Sequence, residues 1–263
     1  MNLWPGSQSF KRDYIQLRGQ KIWASQSKPF LKRANEVPVV LLHGGMSQSE
    51  GFDGRLSPSV KGFHVYSYDR AGHGRSPDQP GSFHFDFQYA EAVAYLEDVV
   101  KKPAHLIGYS DGGIISLLVA VNRPELVKSL TLIGTNFHFK GTNHVINAWS
   151  PSEEEKAKYA HFSPDAPETL VKKIKKMVRI WRTEPKMSTK ELKKINAPTL
   201  VIAGDRDVIT LKHTEELFNA IPNSKLAIIP GASHFIDKEQ PDLLNKVIRN
   251  FLLSDNYDKA VVY

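Results

Sequence analysis

Six short apolar runs limit what this chain can fold into. They are "VPVVLL" at 37–42, "FHVYSYD" at 63–69, "AHLIGYS" at 104–110, "SLTLIG" at 129–134, "PTLVIAG" at 198–204 and "KLAIIP" at 225–230. They are nearly continuous in apolar residues rather than alternating, as expected of strands buried on both faces. Residues 86–100 have helical periodicity, with Phe87, Ala90, Val93, Ala94, Leu96 and Val100 apolar. "GGIISLLVAVNRPELV" predicts a second helix ending near Pro124, and helices are expected after each of the last two strands. Strands alternating with helices make a mostly parallel sheet covered on both faces. "DYIQLRGQKIWAS" at 13–25 reads as a hairpin turning near Arg18-Gly19, adding antiparallel strands at one edge. Residues 135–190 break the rhythm. They hold no strand signal, several prolines, and Trp149, Tyr159, Phe162 and Trp181. The expectation is an α/β core from 1–134 and 191–263, with a helical insertion at 135–190 over one end of the sheet.

The 263 residues suit one such domain. There is no cysteine, so there is no disulfide framework and no thiolate metal site. The first residues, "MNLWPGSQSFKRDY", lack the apolar core of a signal peptide, and no apolar run is long enough to cross a bilayer. A cytoplasmic protein without stable membrane insertion is expected. The net charge of +7 raises nucleic acid as a partner. The basic residues are scattered, however, apart from "LVKKIKKMVRIWR" at 170–182. There Leu170, Ile174, Met177, Val178 and Trp181 recur at helical spacing, and the lysines between them read as a solvated face. No nucleic-acid partner is expected.

The chemistry is concentrated where the third run meets its helix. Gly108-Tyr109-Ser110-Asp111-Gly112 fits G-x-S-x-G between a strand and a helix. Such a sharp turn holds a serine above the sheet at the positive end of a helix. The backbone N–H of Asp111 is then placed to donate to a developing oxyanion. A serine hydroxyl needs a base. "GASHF" puts His234 on a loop after a strand, where sites of parallel sheets gather. "AGDRDVIT" offers Asp205 and Asp207 as the acid that orients it, giving the chain order serine, acid, histidine. "LLHGGMS" follows a strand with two glycines, so the Gly45 N–H is the second oxyanion donor, while His43 is read as bracing its loop.

Together, "LLHGG", "YDRAGHGRS", "GYSDGG", "AGDRDVIT" and "GASHF" resemble the α/β-hydrolase superfamily in order and spacing, from about residue 13 to residue 252. The resemblance implies Ser110 as nucleophile, His234 as general base and Asp207 as the acid, counted in G-x-x-D from Gly204. It implies that Asp69, Arg70, His73 and Arg75 brace a turn, and that 135–190 is a cap shaping the pocket. It implies neither metal nor organic cofactor, and a small-molecule ester as substrate. The stretch around Ser110 also resembles the valacyclovirase (biphenyl hydrolase-like) group, in which the acid after the nucleophile holds a substrate α-amine.

Asp111 has two readings. A carboxylate opening a helix is favoured by the dipole, by about 0.3–1 kcal/mol. A carboxylate about 6 Å from a developing oxyanion also opposes it by roughly 3 kcal/mol at an effective dielectric near 20. A substrate ammonium would offset that. Trp149, Phe162 and Trp181 are candidates to line the pocket, with a hydrophobic core inside the insertion as the plain alternative. The expected activity is hydrolysis of a small carboxylic ester through an acyl-enzyme, with an α-amino acid ester as the narrower reading. The same triad would also serve carbon–carbon hydrolysis, acyl transfer or perhydrolysis, and the same scaffold a ligand-binding receptor.

Overall fold

The computed structural model describes residues 10–27, 37–143, 150–254 and 260–261. In chain order its elements begin with β1 (Lys11–Leu17), β2 (Gln20–Ser27), β3 (Val39–Leu42), α1 (Ser49–Leu56), β4 (Val65–Tyr68) and α2 (Phe85–Ala94). The last runs directly into a π-helical turn, Tyr95–Val100. Then come β5 (Ala104–Tyr109), α3 (Asp111–Asn122), β6 (Val127–Ile133), α4 (Glu153–Phe162), α5 (Thr169–Trp181), α6 (Thr189–Leu192), β7 (Thr199–Gly204), α7 (Leu211–Ala220), β8 (Ser224–Ile229), α8 (Ile236–Glu239), α9 (Pro241–Leu252) and β9 (Ala260–Val261).

The sheet order is β1-β2-β4-β3-β5-β6-β7-β8-β9. β1 and β2 form the expected antiparallel hairpin, with Arg18 and Gly19 both at positive φ (52° and 74°), as a tight two-residue turn requires. From β4 to β9 neighbouring strands run parallel. The strands from β3 to β8 each feed both faces. In β3, Val40 and Leu42 enter one core and Val39 and Leu41 the other; in β5, Leu106 and Ile107 divide the same way. This explains why the strands read as unbroken apolar runs. Two elements carried no usable signal: α1, whose eight residues include Gly51 and Gly54, and the two-residue β9.

Between β6 and β7 the described residues form α4, α5 and α6, with no named strand among them. α5 buries Leu170, Ile174, Met177 and Val178, as its periodicity predicts, with Trp181 half-buried. One lysine departs from the solvated face expected of it. Lys173 is 1% exposed, its Nζ donating to Asp165 Oδ2 (2.6 Å) and to the Gly72 carbonyl (3.1 Å). Its partners come from other segments, so helical periodicity alone does not show them.

Asp53 of α1 is buried against the sheet. Its Oδ2 accepts from Ser25 of β2 (3.0 Å) and Ser67 of β4 (2.9 Å), while Oδ1 has no hydrogen-bond partner among the described residues. Burial is the main cause pushing its pKa from 3.8 up to about 7. Folding thus favours the protonated acid. The stability this contributes is full below the unfolded value and is lost as pH rises through about 7. The urea midpoint of unfolding should therefore fall between about pH 5 and about pH 8, and Asp53→Asn should shrink that fall. An equal fall in the variant would contradict this assignment.

Candidate active site

β5 lies inside the sheet, and Ser110 is the first residue beyond it. Its φ and ψ are 53° and −116°. Such a backbone costs a non-glycine residue about 1–3 kcal/mol. It is held by its own hydrogen bonds: Ser110 N donates to Ile133 O (2.8 Å), and Ser110 O accepts from Gly113 N (2.9 Å) and Ile114 N (3.1 Å). The flanking glycines let strand and helix meet. A Cβ on Gly108 would lie 2.3 Å from Gly112 O, and one on Gly112 would lie 2.0 Å from Leu42 O.

Three side chains from distant parts of the sequence meet at this turn. Ser110 Oγ is 3.1 Å from His234 Nε2, and His234 Nδ1 is 2.8 Å from Asp207 Oδ1. Asp207 has a buried side chain, and the same oxygen accepts from Ile209 N (2.9 Å). Asp205 faces elsewhere, its Oδ2 accepting from Gly231 N (3.0 Å). Of the two candidate acids, Asp207 is the one that reaches the imidazole. The chain Ser–His–Asp has the polarity for moving a proton from hydroxyl to ring, with the carboxylate stabilising the imidazolium.

The loop after β3 faces the same turn. Gly44 packs on it, since a Cβ there would be 3.5 Å from Ser110 Cβ. Arg70 is fully buried behind this loop, its guanidinium donating to the carbonyls of His43 and Gly44 (3.0 Å to the latter). In a trans peptide the N–H opposes the C=O, so anchoring the Gly44 carbonyl turns the Gly45 N–H away from Arg70. Among the described residues, neither the Gly45 N–H nor the Asp111 N–H has an acceptor of its own. His43 is buried and spent on the loop: Nδ1 contacts Gly44 O (2.7 Å) and Nε2 accepts from Arg70 N (3.2 Å). Burial first, then the Arg70 charge, pushes its pKa well down, so it stays neutral. Asp69 binds Ser49 N and Oγ (2.7 Å each) and Arg75 N (2.8 Å), and His73 Nδ1 contacts Ala71 O (3.1 Å). These are bracing contacts.

Residues 39–247 match the family described as "Alpha/beta hydrolase family", more than three quarters of the chain. The chain belongs to the α/β-hydrolase family. This hydrolase is 25% identical over 235 residues to serine hydrolase BPHL of Mus musculus, covering 82% of this chain and 79% of that protein. It is 23% identical over 247 residues to (E)-2-((N-methylformamido)methylene)succinate hydrolase of Acinetobacter baylyi, covering 85% and 93% respectively. Its fold is that of a serine hydrolase involved in carbazole degradation, the CarC enzyme, with a TM-score of 0.74 at 21% identity over 93% of this chain and 99% of that one.

The hydrolase's Asp111 is 1% exposed and contacts the inserted helices directly. Its Oδ1 accepts from Trp181 Nε1 of α5 (2.9 Å), and its Oδ2 has no hydrogen-bond partner among the described residues. Oδ2 and the Trp181 ring both lie against Gly45, where a Cβ would be 2.4 Å and 2.6 Å from them. Burial pushes the Asp111 pKa up, opposed by Arg70, the Trp181 N–H and His234. Phe162 packs under the Arg75 guanidinium, which lies 4.3 Å over its ring. Trp149 lies outside the described residues. Two contacts had no signal in the motifs: the Tyr109 hydroxyl donates to the His234 carbonyl, and Glu239 accepts from Ser233 N (2.6 Å) and Oγ (2.8 Å). Motif spacing leaves residue type open at Tyr109, and Glu239 belongs to no motif.

The contact at Gly112 gives a direct test of the elbow. Gly112→Ala should cost more than about 3 kcal/mol in urea unfolding, or yield no soluble protein, because its Cβ would meet the backbone of Leu42 and His43 at the end of β3. Gly54→Ala in α1, where a Cβ would meet nothing within 4 Å, is the control and should stabilise by about 0.5–1 kcal/mol.

Proposed function

We propose that this α/β-hydrolase is a serine enzyme that cleaves a small carboxylic ester through an acyl-enzyme on Ser110. The observation that carries this reading is the continuous contact from Ser110 Oγ through His234 to Asp207. Ser110 Oγ attacks the ester carbonyl while His234 Nε2 takes its proton. Charge builds on the carbonyl oxygen, which accepts from the N–H groups of Gly45 and Asp111. The intermediate collapses as His234 returns the proton to the departing alcohol. Water then attacks the acyl-enzyme with His234 again as base, and the free acid leaves. Asp207 keeps the imidazole oriented and offsets its charge without itself taking the proton. In this reading residues 135–190 act as a cap, and Trp181 forms a wall of the acyl pocket.

A finer reading concerns the acyl group. Asp111 holds a buried carboxylate oxygen with no hydrogen-bond partner among the described residues, beside the loop that carries one oxyanion donor in this reading. A negative charge there opposes the transition state. An ammonium on the α-carbon of the acyl group would meet Oδ2 and cancel that opposition as charge develops. We therefore favour α-amino acid esters among the candidate substrates, in keeping with the likeness to BPHL around the elbow. The name of the Acinetobacter baylyi relative instead gives that protein a substituted succinate, whose nitrogen is an amide and not an ammonium. The two readings predict opposite preferences.

The test uses valine benzyl ester and benzyl 3-methylbutanoate, which share a shape and differ in the amine. Wild-type enzyme should prefer the amine by tenfold or more in kcat/KM, equivalent to about 1.4 kcal/mol of transition-state binding. Asp111→Asn should remove most of that preference. Equal rates on the two esters would leave Asp111 as a helix-opening residue only. Ser110→Ala should lower hydrolysis of both by at least about a thousandfold. Undiminished hydrolysis in that variant would overturn the serine mechanism itself.

A further inference from the structure

Tyr109 fills the position between Gly108 and Ser110 that the elbow leaves free to vary. Its side chain is half-buried and touches two loops at once. The hydroxyl donates to the main-chain carbonyl of His234. The ring centroid lies 5.4 Å from the His234 ring and 5.9 Å from the Phe52 ring. The ring also closes on Gly44, where a Cβ would be 2.8 Å from Cδ1 and 3.2 Å from Cε1. One residue thus shares a peptide bond with Ser110, holds the loop bearing His234, and walls the loop that carries the Gly45 N–H.

We propose that Tyr109 is a positioning residue that fixes the His234 loop and the Gly44–Gly45 loop relative to Ser110. This rests on the reading of Ser110 as the nucleophile. His234 sits on a short segment between β8 and α8, and the hydroxyl holds that segment at the histidine itself. The other main-chain ties of this segment fall on its neighbours: Gly231 N donates to Asp205 (3.0 Å), Ala232 O accepts from Arg206 N (3.0 Å), and Ser233 N donates to Glu239 (2.6 Å). Besides the imidazole's contacts with Asp207 and Ser110, the hydroxyl is thus what holds the histidine among the described residues. A carbonyl held at the histidine limits how far the imidazole can tilt from Ser110 Oγ. The ring does the same for the facing loop, because Gly44 has no side chain with which to fill the gap if the ring withdraws. Burial, with the nearby charges of Asp237 and Asp207, pushes the pKa of the Tyr109 hydroxyl up, so it remains a donor across the working range of pH.

Tyr109→Phe separates the two contacts, keeping the ring against Gly44 and removing only the hydroxyl. The readout is labelling by an alkyl fluorophosphonate. In this reaction Ser110 Oγ forms a bond to phosphorus, fluoride leaves, and His234 takes the serine proton. The maximal labelling rate, kinact, should fall about tenfold in Tyr109→Phe with KI unchanged within twofold, as misplacement of a base predicts. Tyr109→Leu, which also withdraws the ring, should be slower still. A hydroxyl that serves only the fold would lower Tm and leave kinact unchanged, and that result overturns the proposal. So does a raised KI with unchanged kinact, which would mark Tyr109 as a ligand contact. If wild type is not labelled, or Ser110→Ala is labelled equally, the serine reading fails and this proposal with it. Labelling of wild type that is lost in Ser110→Ala but unchanged in Tyr109→Phe removes the positioning role alone.

Discussion

A left-handed serine between a strand and a helix is the constraint on which the rest of this molecule depends. Serine gains nothing from a φ of 53°. The conformation persists because everything around it is over-determined. β5 is paired on both sides, by β3 and β6, so the chain arrives at Ser110 in a fixed direction. α3 must leave at once, and Gly108 and Gly112 let it pass within contact of the strand and of Leu42. Strain of a few kcal/mol is small beside the two apolar cores on either face of the sheet, so the fold can carry it. In return the hydroxyl stands clear of the sheet, and the first N–H groups of α3 stay free of intrahelical partners.

The second constraint is a buried charge. Arg70 is fully enclosed, and it is used to aim backbone rather than to meet solvent. Its guanidinium gathers the carbonyls of His43 and Gly44, which leaves the following N–H directed away. Asp111, Glu91 and Asp69 supply the negative potential that makes the enclosed cation tolerable. Asp111 therefore has two electrostatic neighbours of opposite consequence. Arg70 steadies its charge from behind the loop, while an oxyanion in front would be opposed by it. The Asp111 oxygen that has no hydrogen-bond partner among the described residues lies between these influences, and this is the place the proposed reading gives to a substrate cation.

Much of this was legible in the sequence because the physics behind it is local. Strands buried on both faces cannot alternate, so β3 to β8 appear as apolar runs. The elbow needs glycines at fixed offsets from the serine, so it appears as a motif. Where several groups compete for one partner, locality fails. Asp205 and Asp207 are both carboxylates in one turn, and only the path of that turn after β7 sends one to His234 and the other to Gly231. Lys173 sits in a row of lysines of which Lys172 and Lys175 are exposed. Its burial is decided by Asp165 and by a carbonyl a hundred residues upstream. α1 was hidden for a different reason, since two glycines in eight residues suppress helical propensity and tertiary packing of Phe52 and Leu56 overrides it.

The site is assembled from parts of unequal rigidity, and this bears on how its chemistry and its selectivity could separate. Ser110 follows β5 at once, while Asp207 and His234 lie on the short loops after β7 and β8, so the sheet sets where these loops start and contacts such as Tyr109 to the His234 carbonyl hold their ends. Trp181 belongs to α5, which is fastened to the core by side chains: Lys173 to the Gly72 carbonyl, Lys176 to Asp78, and Trp181 itself to Asp111. In the proposed reading, changing those fastenings would move the wall of the acyl pocket and leave Ser110, His234 and Asp207 in place. Asp111 is the exception, because it belongs to both sets. Its backbone N–H is fixed by the elbow, while its carboxylate is bonded to the inserted helix. A movement of α5 would thus be felt at Asp111, beside the Gly45 N–H, through one hydrogen bond. In the proposed mechanism, where Trp181 walls the acyl pocket, this one hydrogen bond would couple substrate fit to the charge beside the oxyanion at a single side chain.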